Sequence, residues 1–324
     1  MKETLAEMPH PVENLIATSI IFSIALLGII FNVLALHTVR MNPALRSSFG
    51  LLCLSHCVAN LGVMIVFMFW VTPMNLRQSG MATELPGKIF GQLIMFFWDV
   101  CVYTHLLISI NRLIAISMPY RAKHVLEKNC TLCFIAVVWF IAFCHVIPYF
   151  WVDSCYVVFD TQQWVWTFAD TGCGYIISTY TDLYTGCTWC AVKIVLDCIT
   201  ATKLRASNKM TLQQPQGNST TNPLRQSRRK VEVRFFCQAI VQSGIFLCGM
   251  ISFYFICQFF TGRWADFITM TIPWESCHAI DGLVVILFHF RLSYLRWKQK
   301  DSRQDETRRY GTSRSEMKIA PVQH

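Results

Sequence analysis

The stretch that decides the fold is IFGQLIMFFWDVCVYTHLLISINRLIAISMP, residues 89–119. It opens as an apolar run long enough to cross the roughly 30 Å hydrocarbon core of a bilayer. Arg112, near its end, is expensive in lipid, so it must sit at the interface or inside a protein bundle. Pro119 then closes the helix, because it lacks an N–H and its ring clashes with the preceding turn.

Working outward, seven apolar stretches of roughly 20 residues, the length that crosses a bilayer, can be read: Leu15–His37, Phe49–Val71, Ile89–Met118, Thr131–Trp151, Tyr175–Thr200, Arg234–Phe259 and Ile268–Phe290. The fifth and seventh carry internal charges. The chain is 15% charged with a mean hydropathy of +0.41, whereas soluble domains carry about a quarter charged residues. The expected fold is an all-α integral membrane bundle of seven helices. Residues 1–14 would be a short outer tail, 15–290 the bundle, 291–300 an amphipathic interfacial helix and 301–324 a disordered cytoplasmic tail.

The net charge of +9 is explained by where it lies. Of 28 Lys and Arg, 23 fall in segments 38–48, 112–130, 201–236 and 291–324. Only Lys2, Arg77, Lys88 and Arg263 lie in the alternate segments, and Lys193 sits inside a span. The positive-inside rule makes the first set cytoplasmic, the N-terminus outer and the C-terminus inner. This distribution needs no nucleic-acid partner. Glu3, Glu7 and Glu13 stand where a cleavable signal would carry basic residues, so the first span is expected to act as signal anchor. The sequons at Asn129 and Asn218 fall on the predicted cytoplasmic side and read as chance.

Cys130-x-x-Cys133 and Cys187-x-x-Cys190 have zinc-like spacing, but both lie in apolar spans with no loop to fold round an ion. They read as small buried residues, and no metal or cofactor is expected. Cys155 and Cys173 differ. They are the two cysteines in one predicted outer loop, in an oxidising compartment, and are expected to pair.

A membrane helix ending in Asn111-Arg112-Leu113, then Pro119-Tyr120-Arg121, resembles the third helix of G-protein-coupled receptors, where that family carries Asp-Arg-Tyr. Trp139 and Pro148 in the fourth span agree with the resemblance. Ser48-Phe49-Gly50 through Ala59-Asn60, then Phe69-Trp70, Pro73 and Asp281-Gly282, is similar to the nematode serpentine chemoreceptors of class x. The resemblance covers roughly residues 15–295. The chain departs from rhodopsin-like receptors in several places. Val58 stands at the expected place of the second-helix aspartate, which removes the sodium site. No cysteine lies between Cys57 and Cys101, which removes the usual disulfide to the second outer loop. Asp281-Gly282-Leu283-Val284-Val285 replaces Asn-Pro-x-x-Tyr.

The resemblance implies sensing of a small environmental or secreted molecule through a heterotrimeric G protein. It gives Arg112 the role of cytoplasmic switch, with Asn111 beside it and Pro119-Tyr120 opening a docking loop. Glu232, the single acid in the basic segment entering the sixth span, is the candidate restraint across the bundle. A bland alternative is an interfacial arginine that snorkels.

Asn32, a lone amide in Gly28-x-x-x-Asn32-Val33, reads as packing glue between helices, with Trp139, Asp281 and Gly282 in related packing or activation roles. Trp98, Cys101, His105 and Ser109 share the face of Arg112. Asp99 lies about 140° away, thirteen steps of roughly 100°. It is expected either to bond a neighbouring helix or to meet ligand. Trp98, Asp99, Glu275 and His278 form the candidate ligand pocket. Glu275, His278 and Asp281 recur at three-residue steps along one face. His145 reads as a packed polar residue. Lys193 and Asp197, four apart, are expected to pair. The acidic, tryptophan-rich loop from Val152 to Gly174 suits either a gate over a pocket for a small amphiphile or cation, or an interface belt.

No phosphate loop, metalloprotease motif or nucleophile triad appears, and an enzyme is not expected. The preferred reading is a multi-pass plasma-membrane receptor, in sensory neurons or their cilia. Its expected partners are a small ligand, a heterotrimeric G protein, membrane lipids and an arrestin-like protein at the C-terminal tail. The alternative is a seven-span transporter or ligand-gated channel using Asp99, Asp182, His278 and Asp281. No internal repeat of the transporter kind supports it.

Overall fold

The structure is a computed structural model and describes residues 11–212 and 223–289. The expected interfacial helix at 291–300, the tail beyond it and most of the N-terminal tail lie outside these residues. Seven helices are long and apolar enough to cross a membrane: α1 (Pro11–Met41), α2 (Ser48–Arg77), α3 (Leu85–Ser117), α4 (Lys128–His145), α5 (Gly172–Ala206), α6 (Val231–Phe259) and α7 (Arg263–His289). Between α4 and α5 the chain forms an antiparallel hairpin of β1 (Val157–Asp160) and β2 (Val165–Phe168), with Val157 opposite Phe168.

Several boundaries differ from the hydropathy reading for local reasons. Helix α2 runs past Val71 to Arg77. It does so through a widened turn at Phe67–Val71, just before Pro73, and such turns absorb the backbone disruption that proline imposes. Helix α4 ends at His145, and Ile147–Phe150 tighten into a 3₁₀ turn at Pro148. Helix α3 ends at Ser117. Pro119 opens the next helix, Pro119–Val125, the first-turn position where its missing N–H costs nothing.

Helix α3 is the axis of the bundle. It packs on α2, α4, α5, α6 and β1, and its aromatic and histidine side chains reach α7. Its buried face carries Trp98, Cys101, His105, Ser109 and Arg112. Helices α4, α5 and α6 turn more of their apolar surface outward, as Phe140, Ile141, Val195 and Ile251 show. Such surface is at home against lipid tails rather than water.

The hairpin folds back into one end of the bundle. Gly91 of α3 lies so close to it that a Cβ there would overlap the Val157 carbonyl oxygen. Trp164, in the left-handed conformation at φ 60°, is fully buried. Its Nε1 donates to Asn14 Oδ1 at 3.0 Å, and its carbonyl accepts from Thr271 Oγ1 at 2.6 Å. One residue of the turn thus ties α1 and α7 together. Arg263 stacks on its ring at 3.5 Å. Cys155 and Cys173 are joined by a disulfide with a Cα–Cα separation of 5.2 Å, anchoring the hairpin to the start of α5.

Opening this 18-residue loop removes a constraint of about 3 kcal/mol on the unfolded chain. Cys173→Ser is expected to cut surface-expressed receptor severalfold and to lower the thermal midpoint of detergent-solubilised protein. Unchanged surface labelling would show that the hairpin holds without the link.

Candidate functional site

The bundle has two sites, one at each end of α3, with a polar layer between them.

At the hairpin end lies a narrow, aromatic-walled cavity of about 30 Å³. Trp98 of α3, Asp182 of α5, Phe246 and Tyr254 of α6, Trp274 of α7 and Trp166 of β2 line it. Trp98 stacks on Phe246 at 5.1 Å and meets Trp274 edge-on at 5.7 Å. Trp166 meets Trp274 at 6.3 Å. The tryptophans of the loop therefore divide in role. Trp166 roofs the cavity, Trp164 locks the hairpin, and Trp151 remains 62% exposed. The single carboxylate in the lining, Asp182, accepts from the Tyr254 hydroxyl. Few polar groups in an aromatic wall is the usual composition of a small-molecule site.

Of the four candidate pocket residues, Trp98 lines this cavity; Asp99, Glu275 and His278 do not. Asp99 turns toward α4, with Oδ1 3.0 Å from His145 Nδ1, which also lies 2.9 Å from the Tyr103 hydroxyl. Its 140° offset from the Arg112 face is the cause, since it carries the side chain away from the bundle centre. Glu275 is fully buried against the α1 backbone at Ala25. His278 Nδ1 lies 2.8 Å from Asn60 Oδ1.

The middle layer gathers the remaining polar side chains of α1, α2, α3 and α7. Asn32 Nδ2 donates to the carbonyls of Gly28 at 2.9 Å and His278 at 3.0 Å. Gly282 permits this, because a Cβ there would stand 2.8 Å from Asn32 N. Asp281 faces His56 and His105. Trp139 Nε1 donates to Ser55 Oγ at 2.9 Å, fixing α4 to α2. Lys193 and Asp197 lie 3.6 Å apart, with Ser243 of α6 between them.

At the opposite end Arg112 is 2% exposed. Its Nη1 donates to Glu232 Oε2 at 2.7 Å and its Nη2 to the Asn111 amide oxygen. Asn111 Nδ2 donates in turn to Ser48 Oγ at 2.9 Å. The guanidinium lies over Phe49 at 4.4 Å and Phe235 at 5.4 Å, and those two rings stack on each other at 4.4 Å. One cation therefore bridges α2, α3 and α6. Tyr120, just beyond, is 87% exposed.

Sequence reading missed Asp182 and Tyr254 as partners, the hairpin, and His56 and His105 as neighbours of Asp281. Val157-Val158-Phe159 and Val165-Trp166-Thr167 are rich in β-branched and aromatic residues, but each run is too short to stand out from a loop.

Seven membrane-length helices, an aromatic cavity at one end and a buried, bridged arginine at the other define a transmembrane receptor of the rhodopsin-like fold. The crystal structure of squid rhodopsin superposes with a TM-score of 0.67 over 87% of this chain and 84% of that one, at 14% identity. The family model described as serpentine-type 7TM GPCR chemoreceptor Srx matches residues 22–289, and the chain belongs to that family of multi-pass membrane receptors. Serpentine receptor class X 45 of Caenorhabditis elegans is 23% identical over 290 residues, covering 85% of this chain and 78% of that protein. Serpentine receptor class X-43 of the same organism is 26% identical over 266 residues, covering 78% and 77%.

Removing either partner of the Asp99–His145 pair strands a polar group in an apolar wall. Asp99→Asn and His145→Gln are each expected to lower the thermal midpoint, and the double variant to lose less than the sum. Coupling of about 1 kcal/mol or more in a double-mutant cycle is the expected reading. Strict additivity would mean that the two side chains do not interact.

Proposed function

We propose that this chain is a chemosensory receptor of the plasma membrane. It binds a small extracellular ligand in the hairpin-end cavity and activates a heterotrimeric G protein through Arg112. The observation that carries this reading is the Arg112–Glu232 bridge between α3 and α6. A buried guanidinium held by one carboxylate and two rings is a two-state element. While the bridge is closed, α6 is tied to α3. When α6 moves away, Arg112 is released into a cleft.

The charge pattern supports placing that end in the cytoplasm, where the basic segments collect. The ligand acts by binding the open arrangement more tightly than the closed one, because only differential affinity shifts the population. Trp98 links the two ends. It lines the cavity and shares the buried face of α3 with Arg112, fourteen residues or about four turns away. The cavity's chemistry suits a small aromatic or aliphatic ligand with one donor or positive group aimed at Asp182. The basic segments would meet anionic lipid, Pro119-Tyr120 would meet the G protein, and the C-terminal tail would meet an arrestin-like protein. Sensory cilia are the expected location.

A seven-span transporter or channel is the competing reading, and ion flux in membranes free of G protein would favour it. The discriminating measurement is nucleotide exchange on a G protein in membranes bearing this chain. Glu232→Gln is expected to raise ligand-independent exchange by about tenfold, the effect of ~1.4 kcal/mol on the two-state equilibrium. Arg112→Ala is expected to abolish ligand-stimulated exchange at equal surface level. Full signalling by Arg112→Ala would remove the switch.

A further inference from the structure

We propose that His56, His105 and Asp281 form a transition-metal site, fitted to zinc(II), that ties α2, α3 and α7 together in the middle of the bundle. Nothing in the receptor reading requires this site, and its test does not depend on signalling.

The three side chains come from three helices. His56 Nε2 lies 2.7 Å and His105 Nε2 3.4 Å from Asp281 Oδ2. One donor atom from each residue falls within 4.8 Å of the other two. A tetrahedral zinc ion with bonds of about 2.0–2.2 Å needs donors roughly 3.3 Å apart. The observed separations bracket that value, so sub-ångström shifts of three side chains would close the shell. The residues are 1%, 2% and 4% exposed, and solvent does not compete for the donors.

A second observation is independent of the spacing. Asp281 Oδ1 is buried with no hydrogen-bond partner among the described residues, and His105 Nε2 makes no hydrogen bond, only its 3.4 Å contact with Asp281 Oδ2. Buried polar atoms are almost always partnered. Hydrogen bonding alone leaves this cluster incomplete. A proton on His56 Nε2 satisfies one carboxylate oxygen, while the other oxygen has no donor and the second imidazole keeps only its 3.4 Å contact. A divalent cation engages the cluster through lone pairs on both rings and the carboxylate, and leaves a fourth position for water.

The donor set selects the ion. Sodium, calcium and magnesium prefer shells of oxygen, whereas two imidazoles and a carboxylate suit zinc and its first-row neighbours. The CxxC pairs do not compete structurally. Cys130 and Cys133 are exposed, and Cys187 and Cys190 are half-buried on α5. Each of those pairs lies on a single helix, whereas the proposed ligands converge from three. Asp281 lies on the helix that carries Trp274 of the cavity, and His105 lies on the helix that carries Arg112. A bound ion would therefore resist relative movement of the two helices that join the sites, and zinc would favour the closed receptor.

The test uses full-length receptor, purified in detergent, stripped with chelator and then exposed to zinc. The expected result is one tightly held zinc per chain and a thermal midpoint raised by several degrees. Both are to be lost in His105→Gln and in His56→Gln, and kept when Cys130 and Cys133 are changed to serine. Folded wild type that retains no zinc, or a histidine variant that retains it fully, overturns the proposal. Cobalt(II) in the wild type supplies a reading that needs no variant to fold. Visible d–d bands without a thiolate charge-transfer band are expected, and a strong thiolate band would place the metal on cysteines instead.

Discussion

A guanidinium cannot be carried into an apolar bundle unless its charge is answered there, and Arg112 imposes that condition on the whole lower half of the fold. An arginine inside a membrane bundle is costly unless its charge and donors are answered. Here the cost is met by Glu232 from α6, the Asn111 amide, and the faces of Phe49 and Phe235. Together they hold α2 and α6 in register against α3. Ser48 fixes Asn111, Phe49 starts α2, and Phe235 and Glu232 start α6. The Arg112 end of the bridge is buried, while the Glu232 side chain is 26% accessible, so the pair sits at the edge of the bundle. With Asn111 beside it, Arg112 has one carboxylate partner, Glu232 of α6.

The other end is governed by backbone satisfaction. A connection between two membrane helices that dips into the bundle must find partners for its own N–H and C=O groups. The 157–168 segment does so by pairing with itself as a hairpin and by offering the Trp164 carbonyl to Thr271. Gly91 lets the hairpin lie directly on α3, and the Cys155–Cys173 link fixes its root. Trp166 thereby arrives above Trp98 and Trp274, and the cavity acquires a roof. The cavity is thus made as much by the connection as by the helices.

Between the ends, polar side chains are concentrated where α1, α2, α3 and α7 meet. Lipid offers them nothing, so Asn32, Asn60 and His278 answer one another, and Asp281 answers His56. Cavity, polar layer and Arg112 all touch α3 or its immediate neighbours.

The seven spans, their approximate bounds and the family were legible in the sequence, because a bilayer demands about 20 apolar residues per helix and leaves a signal in composition alone. Arg112 was legible for the same reason, a charge in such a run, and so was Glu232 as the lone acid of a basic segment. The shared face of Trp98, His105 and Arg112 followed from helical periodicity. The tertiary structure decided the rest. Helical angle turned Asp99 away to His145, two four-residue strands paired to bring Trp166 over the cavity, and Asp182 rather than Asp99 became the carboxylate of the cavity. His56 and Asp281 are 225 positions apart, and no local pattern links them. Periodicity records which face of a helix is buried, but which helix it is buried against depends on how the seven pack, and that is a property of the assembled bundle.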